Sequence, residues 1–473
     1  MTLWEYLKSK MQNNLGQVVC ENHAEMTYEE LIVFAEEYAK KLKGIKCCAI
    51  LCNCEMAASV ALLSCFAAGV TALPLSQRYG KLHCSKILET ISPDAVIVDG
   101  NSLFQLIYLS DSKYVEPEVK PALIMCTSGT EGIPKGAMLT EKNIMTNIAD
   151  ISLYFHITSS DSILISRPLY HCAVLTGEFL TALLKGTKIR FYSGPFHPAL
   201  MLKLLEQHEI TVFCGTPTLI HMMARLKRAE NKCCLKHICI SGECMGTEIA
   251  MRIAKAFSSA DIYHVYGLTE ACPRVAFLPP KLFGKYPDCV GVPLKSVSLK
   301  VVRKDGTMAG IGEIGVLWVK GGNVMAGYYN NPQKTAEAFI QNPLNKHYPE
   351  IIYCTGDIVY RNELGEIMYV GRKDSQIKHN GYRIELGEIE TAALASQMIE
   401  NCCVVYDFMR KKIVLIYQAK EEPNMIEFRK VILTKVPKYM LPSEYHRVDV
   451  IKQNSSGKID RKYYNDFINN GSN

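Results

Sequence analysis

The stretch Thr127-Ser128-Gly129-Thr130-Glu131-Gly132-Ile133-Pro134-Lys135-Gly136 follows an apolar run and gathers hydroxyls, glycines and one lysine into ten residues. Glycine backbone N–H groups, hydroxyl donors and an ammonium are the ingredients of a loop that cradles phosphate oxygens. It is not a Walker loop, because no glycine stands five residues before a Gly-Lys-Ser/Thr, so a P-loop NTPase does not follow. Taken alone, its competing reading is a polar turn, since Gly-rich loops are common. Five further segments recur in order along the chain and set carboxylates, an arginine or a lysine beside glycines. They are Tyr266-Gly267-Leu268-Thr269-Glu270, Tyr353-Cys354-Thr355-Gly356-Asp357, Gly371-Arg372-Lys373-Asp374, Gly381-Tyr382-Arg383-Ile384-Glu385-Leu386-Gly387-Glu388 and Asn454-Ser455-Ser456-Gly457-Lys458-Ile459-Asp460-Arg461.

Such loops need strand ends to hold them. Short apolar runs at 122–126, 162–165, 211–214, 237–240 and 262–265 alternate with helix-length segments such as 199–208, which predicts an α/β fold with largely parallel sheet. Thr27 and Glu30 make a capping box, and Leu31, Phe34, Ala35, Tyr38, Ala39 and Leu42 then mark one helical face. Residues 56–75 carry no charge over twenty positions, enough to span a bilayer. Gly69 at a helix end followed by a strand-like run predicts instead a buried helix leading into a buried strand, and no membrane span. After Lys373 the texture changes to short strands at 403–406 and 413–418 with one helix near 424–434, a small α+β domain with a frayed tail after Phe467.

The 473 residues allow roughly three domain-sized units. The net charge of +6 arises from 53 basic and 47 acidic residues spread along the chain, without the clustered stripe of a nucleic-acid binder. Nineteen cysteines, an odd count without a CxxC pair, predict reduced and mostly buried thiols in a cytoplasmic protein. Glu5, Lys8 and Lys10 fall where a secretory signal would need its apolar core.

The six segments together resemble the adenylate-forming superfamily of acyl-CoA synthetases, luciferases and the adenylation domains of nonribosomal peptide synthetases, over nearly the whole chain. The resemblance implies a large N-terminal domain of layered, mostly parallel sheets and helices over 1–372, a hinge over 373–376 at Asp374, and a mobile α+β domain over 377–473. It also implies ATP and Mg²⁺. Thr127, Ser128, Gly129, Thr130, Gly132 and Lys135 would hold the departing phosphates. Tyr266 would lie against adenine, Gly267 would belong to the ATP site, Thr269 would bond the α-phosphate, and Glu270 would reach Mg²⁺, a hard cation that prefers carboxylate oxygen. Asp357 and Arg372 would hold the ribose hydroxyls. Lys458 would bring a cation to the acid and α-phosphate as negative charge builds. Gly381 and Tyr382 would meet the acceptor thiol, glycine permitting close backbone approach. Glu131 departs from the family's usual threonine and adds an anion beside anions.

By the same resemblance, Arg167-Pro168-Leu169-Tyr170-His171 ends in the residue that gates the acyl pocket, and His171, Ala173, Gly177, Gly242, Val265 and Arg274 fall at substrate-facing positions. Ala173 stands where amino-acid-activating relatives carry an aspartate, so no salt bridge to an α-amino group is available. Gly177 would leave room for an aryl or medium acyl acid. Arg274 would neutralise a second carboxylate or lie on the surface as an ordinary arginine. The expected reaction is acyl-AMP formation with release of pyrophosphate, then transfer to the pantetheine thiol of a separate carrier protein. Free CoA as acceptor and a non-catalytic adenylate-binding protein are the alternatives.

Overall fold

The computed structural model describes residues 1–76, 81–100, 103–127, 134–228, 233–243, 245–287, 289–342, 345, 347, 349–373, 376–452 and 459–470. Two compact units form. One comprises Met1–Ser76, Ile91–Cys126 and Gly136–Lys373, the other Gln77–Thr90, Thr127–Lys135 and Asp374–Asn473.

The larger unit holds a nine-stranded sheet ordered Val292–Pro293, Arg274–Leu278, Asp261–Gly267, His237–Ser241, Val212–Gly215, Ser162–Ile165, Lys188–Phe191, Val18–Glu21 and Ala24–Thr27. Its middle strands are parallel and its edges antiparallel. A seven-stranded sheet runs Gly327–Tyr328, Lys135–Leu139, Leu123–Thr127, Thr71–Pro74, Cys47–Leu51, Ala95–Asp99 and Phe104–Tyr108. The apolar runs of the sequence are these parallel strands, because a strand covered on both faces needs no polar alternation.

The uncharged stretch resolves as expected. Helix Glu55–Ala68 buries twelve of its fourteen residues and ends on Gly69 at φ 64°, before strand Thr71–Pro74. A helix can be buried all round only if its polar atoms are satisfied, and Ser59 and Ser64 donate to the carbonyls of Met56 and Val60 at 2.7 Å each. Among the described residues no helix is long and apolar enough to cross a membrane. Helix Tyr28–Lys41 starts at the predicted capping box.

A third sheet was not anticipated. Strands Val297–Val302, Ile314–Gly321, Phe339–Gln341, Ile351–Arg361 and Ile367–Arg372 form an antiparallel five-stranded sheet. Strand Ile351–Arg361 alternates between buried and partly exposed residues, so it offers no apolar run to find.

In the smaller unit, helices Leu386–Leu394 and Met425–Lys435 pack with the sheet Asn401–Asp407, Lys412–Gln418 and Glu444–Val448 around Phe428, Ile389 and Leu415. The tail is not frayed at Phe467. Helix Arg461–Asn470 continues past it, because Tyr464 and Ile468, one turn apart, are buried against Cys403, Val405 and Ile416.

The smaller unit generates two predictions. Phe428→Ala, at a fully buried ring, should cost about 3–5 kcal/mol. Hydrogen exchange should then lose protection in strands Asn401–Asp407 and Lys412–Gln418 while the nine-stranded sheet keeps it. Glu388 is raised from 4.5 to about 7, by burial first and the Glu385 carboxylate second, against Lys86 and Lys135. The folded chain therefore holds this proton more tightly than the unfolded one, so stability falls as pH rises from about 4.5 to about 7 and the contribution stays lost above it. Glu388→Gln should flatten the unit's melting temperature across that window, and an unchanged slope would contradict the assignment.

Candidate active site

Strand Asp261–Gly267 carries Val265, buried in the core, and Tyr266 at its end. The chain reverses over a short 3₁₀ turn, Thr269–Ala271, into the antiparallel strand Arg274–Leu278. The reversal is tight. A β-carbon on Gly267 would lie 2.0 Å from the Pro273 carbonyl oxygen, the same oxygen that accepts from the Leu268 amide at 2.8 Å. Only glycine fits. The fully buried side-chain amide of Asn323 bonds the carbonyls of Ala271 at 2.9 Å and Arg274 at 3.0 Å, pinning both sides of the turn.

This turn places Glu270 with no solvent exposure, its carboxylate accepting from the Tyr328 hydroxyl at 2.8 Å and its carbonyl from the Met325 amide at 2.9 Å. Among the described residues no three acidic, histidine or cysteine side chains cluster as a metal cage. One buried carboxylate suits Mg²⁺, which takes one or two protein oxygens and fills the rest with phosphates and water.

Tyr266, Asp357 and Arg372 are brought together. Asp357 and Arg372 stand opposite each other on adjacent strands. Arg372 Nη1 donates to Asp357 Oδ1 and to the Thr355 carbonyl, each at 2.9 Å, and the Tyr266 hydroxyl donates a short bond to Asp357 Oδ2. Burial first, then the Asp357 carboxylate, hold the Tyr266 phenol well above its ordinary range. Thr355, two residues before the aspartate in the same segment, supports it from within the strand. Its hydroxyl donates to the Leu317 carbonyl at 2.8 Å and accepts from the Asp357 amide at 3.0 Å, fixing the aspartate's backbone.

His171 caps the short helix Cys172–Val174, followed by a π-helical turn over Leu175–Leu180. Ala173 is half-buried on the first and Gly177 buried on the second. Gly242 occupies a positive φ of 97° after strand His237–Ser241. The room expected at Gly177 is filled, because a β-carbon there would lie 2.8 Å from Arg274 Nε. Arg274 is not on the surface either: it is 4% exposed, with Nη1 donating to Tyr154 Oη and Nη2 to the Gly177 carbonyl, both at 2.7 Å. Arg167 and Glu178 form a largely buried ion pair at 2.5 Å, eleven residues apart across an irregular turn and so without a local spacing to announce it. Eighteen cysteines are free thiols among the described residues. Cys214 and Cys239 face each other across adjacent strands, and the Cys239 thiol is pulled down by the Cys214 hydrogen bond and then by Arg274.

In the smaller unit, Thr127 Oγ1 donates to the Lys135 carbonyl at 3.5 Å, joining the two bases of the phosphate-loop candidate. Asn380 and Gly381, both at positive φ, turn the hairpin Gln376–His379 to Tyr382–Glu385, and the Asn-Gly pair is itself the sequence signal for such a two-residue turn. The Tyr382 ring stacks on Tyr439 at 3.8 Å. Ser128, Gly129, Thr130, Glu131, Gly132, Asp374 and Lys458 lie outside the described residues.

The chain is 27% identical to gramicidin S synthase 2 of Brevibacillus brevis over 94% of its own length, but spans only 11% of that protein. It is 29% identical to zwittermicin A synthase ZmaJ of Bacillus cereus, covering 78% of this chain and 73% of the relative. A double mutant of the o-succinylbenzoate CoA synthetase of Bacillus subtilis, bound with a product analogue, superposes with a TM-score of 0.84 at 22% identity, over 98% of both chains. That likeness establishes the shared fold. The AMP-binding enzyme family matches residues 8–329. With its defining region spanning most of the chain and the Tyr266–Glu270 turn inside it, the protein belongs to the AMP-binding enzyme family of the adenylate-forming superfamily.

Proposed function

We propose that this chain activates a carboxylic acid as its acyl adenylate, releasing pyrophosphate from ATP, and then passes the acyl group to a pantetheine thiol on a carrier protein, releasing AMP. The observation that carries this reading is the Tyr266–Asp357–Arg372 cluster beside the Glu270 turn. It offers an aromatic face, a carboxylate fixed by one arginine nitrogen and a tyrosine hydroxyl, and a buried carboxylate within a few residues. These groups suit a base, a ribose diol and a phosphate-bound cation.

In the displacement, an oxygen of the acid attacks the α-phosphorus in line while the bond to pyrophosphate breaks, and positioning and charge neutralisation carry the acceleration. Asp357 accepts from the ribose hydroxyls. Thr269 donates to the α-phosphate, and Lys135 with Thr127, Ser128, Gly129, Thr130 and Gly132 holds the departing oxygens. Lys458 neutralises the charge that grows between acid and α-phosphate. Mg²⁺, held through Glu270, would spread the negative charge of the leaving phosphates. His171 borders the acid. For the second half-reaction, Asp374 is the proposed hinge and Gly381 with Tyr382 the proposed lining of the thiol's path.

Similarity to peptide synthetases over nearly the whole chain supports a carrier-protein arm, whereas the fold shared with a CoA synthetase supports free CoA. Incubating the enzyme with its acyl adenylate and either a holo carrier protein or CoA separates them. The expected outcome is acyl loading of the carrier, and thioester formation with CoA alone would transfer the assignment to a CoA ligase.

Acid-dependent exchange of labelled pyrophosphate into ATP tests the first half-reaction. Lys458→Ala should lower exchange roughly 100-fold or more with the KM for ATP little changed. Asp357→Ala should raise the KM for ATP by about tenfold or more. Exchange that survives Lys458→Ala intact would remove the proposed role of that lysine.

A further inference from the structure

We infer that the acid carries a second anionic group, so that the substrate is a short dicarboxylic acid whose far carboxylate is bound by Arg274. The inference rests on the adenylation reading above and narrows it.

Arg274 is a buried guanidinium without a counter-ion. Among the described residues it forms no ion pair, and two hydrogen bonds, to Tyr154 Oη and the Gly177 carbonyl, engage a group with five N–H donors. Glu178 gives its Oε1 to Arg167 at 2.5 Å, and its Oε2 is buried without a hydrogen-bond partner and forms no ion pair with Arg274 among the described residues. An arginine cannot shed its proton to escape this position, and an uncompensated buried charge is strongly unfavourable.

The fold nevertheless holds it there. Asn147 and Asn323, both without solvent exposure, donate to the Arg274 carbonyl at 2.7 and 3.0 Å. The rings of Tyr154 and Phe155 flank the guanidinium at 6.0 and 5.4 Å. Gly177 lies in a π-helical turn and has no side chain, and any β-carbon there would press on Nε, Nη2 and Cζ at 2.8 to 3.2 Å. π-Turns inside helices occur often at functional sites. A fork fixed by backbone and rings, with donors left over, fits a planar carboxylate bidentately.

Reach makes the acid short. Arg274 follows Glu270 by four residues, so their Cα atoms are at most about 14 Å apart even in extended chain, and the tight turn brings them closer. The adenylating end of the acid belongs beside Glu270 and its distal end at Arg274. Cys239 is the other group near the guanidinium able to bear negative charge. A single sulfur cannot engage the fork bidentately, so Cys239→Ser should leave the acid preference unchanged.

The test is pyrophosphate exchange with malonate, succinate and glutarate against propionate, butyrate and benzoate, for wild type, R274M and R274K. It is paired with melting temperatures of the ATP-free protein in the same acids. Wild type should favour one dicarboxylate. R274M should lose about 100-fold in kcat/KM for that acid and prefer its monoacid counterpart, with R274K in between. That dicarboxylate should raise the melting temperature of wild type and not of R274M. Should R274M fail to fold by circular dichroism, R274K and G177A, which crowds the guanidinium, carry the comparison. Exchange with a monoacid or benzoate at least equal to every dicarboxylate overturns the inference and leaves adenylation standing. Silence in exchange with an Arg274-dependent thermal shift keeps the dicarboxylate site and removes adenylation, and silence in both overturns the inference.

Discussion

The Pro273 carbonyl occupies the space a β-carbon on residue 267 would need, and this close approach folds the strand Asp261–Gly267 back onto Arg274–Leu278. The groups assigned to chemistry on this stretch of chain depend on that reversal. It sets Tyr266 on one side, Glu270 at the tip and Arg274 on the return. Because the turn is buried, its carbonyls need donors, and Asn323 supplies them to Ala271 and Arg274 at once. A backbone fixed this way keeps charged side chains buried without a cage of ion pairs.

The groups proposed to hold the ribose are tied to the same turn from a different sheet. Asp357 and Arg372 sit opposite each other in the five-stranded antiparallel sheet, and the Tyr266 hydroxyl reaches across to Asp357. A phenol, a carboxylate and a guanidinium in one chain of hydrogen bonds orient one another, since each bond strengthens when its neighbour is polarised. The carboxylate is thereby aimed before any ligand arrives, which is the condition for electrostatic stabilisation without reorganisation.

Gly177 illustrates how a residue read singly misleads. An absent side chain in a pocket position implies space, and space implies a larger acid. In the folded chain a buried arginine occupies that space, 97 residues away in sequence and joined to the Gly177 carbonyl. The glycine leaves room for a guanidinium, not for a ring.

Much of the frame was legible in the sequence for identifiable reasons. Parallel strands at 162–165 and 237–240 are apolar on both faces, so they stand out as runs; the helix after Thr27 announces itself through its capping box; and the motif residues at 266–270, 353–357 and 371–372 fall in one order that few folds share. Sequence alone therefore determined the α/β class, the superfamily and the residue types available for nucleotide chemistry. What it could not contain were distances between segments far apart in the chain. The five-stranded sheet hid behind alternating exposure, the pairing of Tyr328 with Glu270 joins positions 58 residues apart, and the buried Arg167–Glu178 pair follows no helical spacing. Burial decides whether an arginine is a solvated surface charge or an unneutralised cation. That depends on which rings and carbonyls pack around it, and only the tertiary structure brings Tyr154, Phe155 and Gly177 to Arg274.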